Sequence, residues 1–549
     1  MGLVYCRIIN KPVTAALRRQ GISCFRVLKP YFKMVSRSPN IDMQPNYRKY
    51  VTGLILVAAV IRMIVAASVE LGNDEVYYWT YSQHLEWNYF DHPPLVALWI
   101  RIFTGNLWLQ SHELFVRLGS IVSGAVGTWL MYKIGTQLQS ERVGWIAACL
   151  YNASLYASII AGLFIMPDSP QMVFWCACLY LLLKILASDR SWRYWLLFGL
   201  CAGLCIMSKV HGAFLWIGFV LFILVQKKAY LKRPQLYVSL LLTAVIASPI
   251  LIWNINNHFA TFQYHGERVA VQHVLFNATS FFRELFGEVF YNNPVVVFLS
   301  FFAIRAVYRN KKLRTDDTAI YLWIALPMIA LLLFVSMFRN TLPHWSGPAY
   351  VTLLPITAIY VEGFSSRHIK PRYIRWSLGF ILFILVLGMG VIKSYPGTLG
   401  SKSGTDLGKG DFTLDMYGWE QAGKAFEQLY ASDVQKRVVQ PGTPVVCYKW
   451  FPAAHEEYYF CRRSGIQMVG MGSPLDLHQY SWRKYNLNFD QAYCIVPSNE
   501  NYNVQEKYAQ YFTTIDSIAT IKNYRSNKLA SRFYVYRLQG FKKNYPPQL

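Results

Sequence analysis

The chain has 549 residues, 54% of them hydrophobic and 15% charged, with a formal net charge of +25. This is too apolar and too poor in charge for an ordinary soluble protein of that length, so the expected solvent is a lipid bilayer. The positive surplus does not mark a nucleic-acid binder, because it is concentrated at the N-terminus and in short connections between apolar stretches.

Residues 1–50 carry ten Lys/Arg against one acid, Asp42. They lack an apolar core followed by a small-residue cleavage site, so a basic cytoplasmic tail is expected rather than a cleaved signal. Windows of about 19 residues then give about eleven candidate spans between 51 and 393. They fall near 51–70, 113–134, 143–165, 168–187, 193–211, 212–226, 236–255, 290–308, 318–338, 347–364 and 376–393. The stretch 212–226 is short, and 143–165 reads as broken. Basic clusters at Lys227, Lys228, Lys232 and Arg233, at Arg305, Arg309, Lys311, Lys312 and Arg314, and at Arg367, Lys370, Arg372 and Arg375 follow the positive-inside pattern. An odd number of crossings delivers the chain from about 394 onward to the outer side.

A Gly/Ser/Thr-rich linker is expected at 394–410, followed by a soluble domain over 411–549. There, strands near 443–448, 466–471, 492–496 and 532–538 alternate with helices near 453–463 and 504–512, which makes a small α/β domain. The expected fold is therefore a polytopic α-helical membrane protein of about 11–13 spans with a C-terminal soluble α/β domain. Cys149, Cys176, Cys178, Cys201 and Cys205 lie in apolar spans and read as small core residues. Cys447, Cys461 and Cys494 fall in the exported tail, where an oxidising compartment permits one bridge between an unspecified pair.

The longest loop, 71–112, joins the first two spans on the outer side. It holds four acids, Asp74, Glu75, Glu86 and Asp91, among many aromatics. Its apolar stretch from Pro94 to Phe103 is too short to span and reads as an interfacial helix. The same topology brings Asp168 (in MPDSP), Lys209 and His211 (in SKVHG), His258, His265, Glu267, Arg268 and His344 (in LPHW) to that face. Ionisable groups at the edge of a bilayer are costly, so their convergence favours a site. Individually each has an ordinary role. Asp168 reads as a helix cap, Lys209 as a snorkelling cation, and His265 and His344 as satisfied polar groups. Tyr77, Tyr78, Trp79, Trp87 and Tyr89 read as an aromatic belt. The pair Asp74–Glu75 has no such account.

Together these residues suit sugar transfer from a lipid phosphate, which needs a carboxylate to accept the proton of the attacking hydroxyl and cations to hold the departing phosphate. Asp74 and Asp168 are candidates for the first task, and Lys209 and Arg268 for the second. The segment HEEYY at His455 lacks the second histidine of a zinc-protease helix. GMGSPL at Gly470 lacks the third glycine of a dinucleotide fingerprint, and no phosphate-loop motif is present. An activated lipid-borne donor therefore fits better than a nucleotide.

The motifs DEVYYW at Asp74, YFDHPP at Tyr89, MPDSP at Met166, SKVHG at Ser208 and LPHWSGPAY at Leu342 resemble those of the ArnT and protein O-mannosyltransferase superfamily, the GT-C glycosyltransferases that use polyprenyl-phosphate sugars. The resemblance covers about residues 50–393. It implies inverting transfer at the outer leaflet of an inner membrane, with the C-terminal domain in the periplasm. It also implies that Asp74 is the catalytic carboxylate of the first loop, that Asp168 takes the family's second acidic position and that Lys209 contacts the donor phosphate. Glu75 is expected to join the catalytic acids, and Arg268, Asp91, His92, His265, His344 and Tyr78 to contact the donor or substrate. Aminoarabinose transferases have an acid followed by Lys where this chain reads Asp91-His92, which weakens the case for that sugar. The expected partners are a polyprenyl-phosphate sugar and a lipid, glycan or protein acceptor. No cofactor is required, although the acids leave room for a divalent cation. A transporter or lipid flippase is the rival reading; it predicts polar residues through the midplane and an internal repeat.

Overall fold

The computed structural model describes residues 46–269, 276–363 and 370–543. The basic tail up to residue 45 lies outside the described residues, and the described residues from Arg48 onward form one compact unit. Helix α1 (Tyr47–Ala66) starts four residues before the expected span. In the first loop, α2 (Asn73–Gln83) carries DEVYYW, and α3 (Leu95–Phe103) is the short apolar helix anticipated there.

The helical bundle continues with α4 (Glu113–Leu138), α5 (Glu141–Ala153), α6 (Asp168–Ala187), α7 (Trp192–Ser208), α8 (Ala213–Gln226) and α9 (Pro234–Asn256). It closes with α10 (Ala260–Val269), α11 (Ala278–Tyr291), α12 (Pro294–Arg309), α13 (Asp316–Ser336), α14 (Gly347–Gly363) and α15 (Lys370–Ser394). Among the described residues six helices are long and apolar enough to cross a membrane, and a seventh span forms if the bent pair α11–α12 is one crossing. The other stretches read from hydropathy fall on shorter apolar helices, among them α7 and α8.

The breaks have local causes. After α5 the chain enters a π turn at Tyr156–Ile160. The freed groups there are met by the buried Arg62, which donates to the Ser158 carbonyl at 3.2 Å and to Asn152 Oδ1 at 3.1 Å. Between α11 and α12 the axis turns by 96°. Pro294 ends backbone donation, and Asn293, at φ 70°, caps α12 by accepting from Val295 N–H. Ser140 and Thr315 cap α5 and α13 in the same way.

The bundle core is rich in Trp175, Trp195, Phe198 and Phe219, all fully buried. Outward faces are apolar instead of polar: Leu241, Leu251 and Ile255 on α9 and Phe383, Val386 and Leu387 on α15 are exposed. Apolar surface of this extent belongs in hydrocarbon.

The C-terminal part is a five-stranded mixed sheet in the order β2-β1-β3-β5-β4. Its strands are β1 (Val445–Cys447), β2 (Met468–Gly470), β3 (Gln491–Pro497), β4 (Phe512–Arg525) and β5 (Lys528–Phe541). β1 runs parallel to β2 and β3, whereas β5 is antiparallel to both β3 and β4. Helix α16 (Trp419–Gln435) and strand β4 were not anticipated. Cys447, Cys461 and Cys494 are free and buried, so no pair of them is bridged.

The segment expected to be a flexible linker is tied down. Arg525 donates to the carbonyls of Gly397 and Ile392, to Thr413 Oγ1 at 2.7 Å and to Asp411 at 3.0 Å, with both charged side chains fully buried. Asp411 also accepts from the Thr398 hydroxyl and from Leu399 N–H. A second seam joins the tail to the first loop: Leu71, Val76, Tyr77 and Trp79 share one core with Trp419, Ala453, Tyr458 and Tyr459. Replacing Arg525 with Met leaves the Asp411 carboxylate buried without its cation and is expected to destabilise the tail by about 3–5 kcal/mol. The readout is a lower apparent Tm and faster proteolysis within 395–543, with part of the loss recovered in the Arg525→Met/Asp411→Leu double variant.

Candidate functional site

Helix ends from distant parts of the chain meet around one cavity of about 830 Å³. α2 contributes Asp74, Tyr77 and Tyr78 from its first turns, and the loop after it contributes Asp91 and His92. Asp168 opens α6, and Lys209 and His211 follow the last turn of α7. Tyr264 and His265 come from α10, and His344 and Trp345 from the turn between α13 and α14. One wall is apolar, built from Leu331, Leu332 and Val335 of α13 with Phe214 of α8.

Of the ten site residues expected from the sequence, eight line this cavity: Asp74, Tyr78, Asp91, His92, Asp168, Lys209, His265 and His344. The Arg268 side chain lies outside the described residues. Glu75 is adjacent in sequence to Asp74 but does not line the cavity, because successive helix residues point about 100° apart. Its carboxylate is clamped by Arg117, with Nε to Oε1 at 2.8 Å and Nη2 to Oε2 at 2.6 Å, and it also accepts from the N–H groups of Gly72 and Ile165. The acid pair that seemed to lack a packing role has one: Glu75 fastens the start of α2 to α4 and to the strand of backbone leading into Asp168.

Asp168 is the most heavily bonded acid of the cavity. Lys209 Nζ lies 3.0 and 2.8 Å from its two oxygens, and Tyr156 OH donates to it at 2.8 Å. Lys209 and Asp168 are both buried, and Lys209 is the one cation lining the cavity among the described residues. Asp91 accepts from Tyr81 OH and, at 3.3 Å, from Tyr77 OH, while His265 Nε2 is 2.7 Å from the Asp91 carbonyl.

Asp74 differs from both. Its side chain is open to the cavity, and among the described residues none is within hydrogen-bond reach of its carboxylate. Burial of the surrounding wall, followed by the charge of Asp91, raises its pKa to about 6, against the opposing pull of Lys209. His92 and His344 are each lowered to about 4, first by burial and then by cationic neighbours such as Lys209, so they are neutral at pH 7 and able to donate one N–H each. The arrangement thus offers a carboxylate that titrates near neutrality, a fixed ammonium, neutral imidazole donors, and an apolar flank beside them.

Trp450 and His478 of the tail, with Tyr77, Tyr264, His211 and Trp345, also line the cavity and were not among the expected site residues. Trp450 and His478 stack with ring centroids 5.6 Å apart, and Trp450 lies 4.9 Å from Tyr77. His455 of the HEEYY segment is structural. It is buried, bonded to the carbonyls of Leu71 and Asp415, and stacked on Trp419.

Residues 91–253 match the family model described as dolichyl-phosphate-mannose-protein mannosyltransferase. The lipid A galacturonosyltransferase RgtD of Rhizobium johnstonii is 24% identical over 359 residues, covering 61% of this chain and 74% of that protein. The undecaprenyl phosphate-alpha-4-amino-4-deoxy-L-arabinose arabinosyl transferase of Yersinia enterocolitica is 24% identical over 341 residues, 57% of this chain and 58% of its own length. Among solved structures, ArnT from Cupriavidus metallidurans bound to undecaprenyl phosphate superposes with a TM-score of 0.58 at 15% identity, covering 91% of this chain and 99% of that one. Its apo form gives 0.56 at 14% identity over 89% and 98%.

The contrast between the two neighbouring acids is measurable. Glu75→Gln removes half of a buried ion pair and strands Arg117, so a loss of about 3–5 kcal/mol is expected, seen as a lower Tm. Asp74→Asn behaves oppositely. A carboxylate whose folded pKa is raised contributes stability at low pH that is lost as pH rises through about 6. At pH 7 the amide should therefore unfold at a temperature no lower than the native chain.

Proposed function

We propose that this chain, an ArnT-like membrane glycosyltransferase of the GT-C fold, transfers a sugar from a polyprenyl-phosphate carrier to a lipid-borne acceptor, with inversion, at the outer face of a bacterial inner membrane. The observation that carries the reading is the pairing in one cavity of an unclamped carboxylate, Asp74, with a buried cation, Lys209, beside an apolar wall. The carrier's hydrocarbon chain fits that wall at Leu331, Leu332 and Val335, which adjoins the exposed apolar surface of α13. Its phosphate fits Lys209 and the neutral imidazoles of His92 and His344.

In the reaction the acceptor oxygen forms a bond to the anomeric carbon while the bond from that carbon to the phosphate oxygen breaks. The hydroxyl proton passes to Asp74, and the negative charge gathered on the phosphate is held by Lys209. Asp168 and Tyr156 orient Lys209 rather than touch the sugar, and Asp91 fixes the tyrosines of α2. Tyr78 and Trp450 present flat apolar faces for the sugar ring. The transporter reading has less support, because the polar residues gather at helix ends around one cavity instead of lining a path along the bundle.

Transfer of labelled sugar from a panel of polyprenyl-phosphate sugars, with the purified chain in nanodiscs, tests the proposal. Asp74→Asn is expected to lower kcat by a factor of about 10² to 10⁴ at equal abundance; unchanged transfer would remove Asp74 as the base. Because the base acts ionised, kcat/KM should fall on the acid side with a midpoint near the Asp74 pKa of about 6 and level off above it. That limb should disappear in Asp74→Asn.

A further inference from the structure

The half of α13 that does not touch the donor cavity borders a separate cleft of about 370 Å³, shared with α8 and α12. One wall is a stripe on α13. Ala319, Leu322, Trp323, Leu326, Pro327 and Ala330 recur at three- and four-residue spacing and so share one helix face. Two alanines and a proline leave that face shallow, which makes room for a recess. Val307 and Tyr308 on the last turn of α12 line the cleft with the stripe, and so does Gln226, the exposed last residue of α8.

The charge lies at one end. Arg314 lines the cleft from the connection before α13, and Arg309, Lys311 and Lys312 are exposed just ahead of it. Asp316 is held by Lys227 at 2.5 Å, and among the described residues no acid lies within ion-pair distance of Arg314. From Ala319 to Ala330 the stripe climbs about 16 Å at ~1.5 Å per residue, about half of a hydrocarbon core ~30 Å thick. The cleft therefore has the length and polarity of one leaflet, with a guanidinium at its wet end and an apolar trough running towards the middle of the bilayer.

The positive-inside pattern accounts for cations in this connection, and contact with hydrocarbon accounts for an apolar helix face. Neither accounts for a recess that carries one of those cations on its wall. An apolar face such as those of α9 and α15 accepts any lipid, whereas a recess with a fixed charge at its polar end selects by head group and retains the chain. A phosphodiester supplies the counter-charge that Arg314 lacks, and the Gln226 amide has two N–H groups to add. A zwitterionic head group is disfavoured, because the neighbouring cations repel its ammonium. We infer that this cleft binds an anionic glycerophospholipid of the leaflet opposite the donor cavity, with its phosphate on Arg314 and one acyl chain along the stripe from Ala319 to Ala330. The site is independent of the sugar transfer proposed above. A lipid bound there ties α8, α12 and α13 together and stabilises the folded chain by mass action.

The test uses the full chain in a neutral detergent, titrated with phosphatidylglycerol or with phosphatidylcholine of the same acyl chains. Bound lipid is counted by native mass spectrometry while Tm is followed. Saturable binding of one phosphatidylglycerol is expected, with a rise in Tm that phosphatidylcholine does not give. Arg314 is exposed, so Arg314→Ala leaves the fold intact; it should weaken binding about tenfold, the scale of one charge-assisted contact, and Arg314→Lys should recover most of the loss. Ala319→Phe keeps every charge but fills the trough, and should weaken binding at least as much. Lys312→Ala, in the same connection but off the cleft, should change affinity by less than about twofold, as expected for a screened charge. Equal losses in Lys312→Ala and Arg314→Ala, or native affinity in Ala319→Phe, mark diffuse attraction to a basic loop and would overturn the site. Equal binding of the two lipids, or a rise in Tm with inorganic phosphate alone that matches the lipid's, would overturn it as well.

Discussion

Arg117 makes five hydrogen bonds from within α4. Two go to Glu75, and three go to the carbonyls of Ala66, Val69 and Glu70, which end the first span. Glu75 accepts two more, from the N–H groups of Gly72 and Ile165. The unsatisfied end of α1, the start of α2 and the approach to α6 are thus gathered on one buried ion pair. Since Asp74 sits at the start of α2 and Asp168 at the start of α6, the spacing of the two acids is set by a contact that neither of them makes. A buried pair of this kind contributes little net stability over an apolar substitute, but losing one partner is severe. Its value here lies in fixing where three chain segments begin.

With that frame in place, the three carboxylates of the cavity are driven apart in behaviour by their neighbours. Asp168 is paired with Lys209 and accepts from Tyr156, and Asp91 accepts from two tyrosine hydroxyls. Asp74 accepts no side-chain hydrogen bond among the described residues and feels the like charge of Asp91 more than the opposing charge of Lys209. Leaving a carboxylate unclamped is unfavourable for folding and favourable for proton transfer, a trade expected where a protein yields stability to function. In the proposed reaction a phosphate entering the cavity would share the Lys209 ammonium, whose partner in this structure is the Asp168 carboxylate.

The fold class was legible in the sequence, from long apolar stretches divided by basic loops and from the alternation of strands and helices in the tail. Asp74, Asp91, His92, Asp168, Lys209, His265 and His344 were legible because ionisable groups at span ends are costly and stand out against an apolar background. Glu75 was misread because adjacency in sequence is not adjacency on a helix, and its partner Arg117 lay in what looked like an ordinary span. The break within 143–165 was legible and is the π turn after α5, whereas hydropathy gives no sign of the Asn293-Pro294 corner. In the tail, Trp419, Ala422, Phe426 and Tyr430 of α16 carry a helical period that was open to reading, but β4, polar on most of its residues, offers little alternation. Trp450 and His478 could not be assigned to the site from sequence at all, since nothing local says that the tail folds back onto α2.

That return of the tail is the step that joins stability to chemistry. Glu70, just past α1, accepts from the N–H groups of Trp419 and Glu420 and so caps α16, while Leu71 is held by Tyr459 and His455. Glu70 and Leu71 therefore belong to the tail as much as to the bundle. Gln479 bonds both Tyr77 and Phe90, which places His478 against Asp91 on one side and Trp482 against Phe90 on the other. A domain attached only by a linker has no reason to make such contacts. One that lines the cavity through Trp450 and His478 has to be registered against the loop that carries Asp74 and Asp91, and the buried Arg525–Asp411 pair where the tail leaves the last helix provides the other fixed end of that registration.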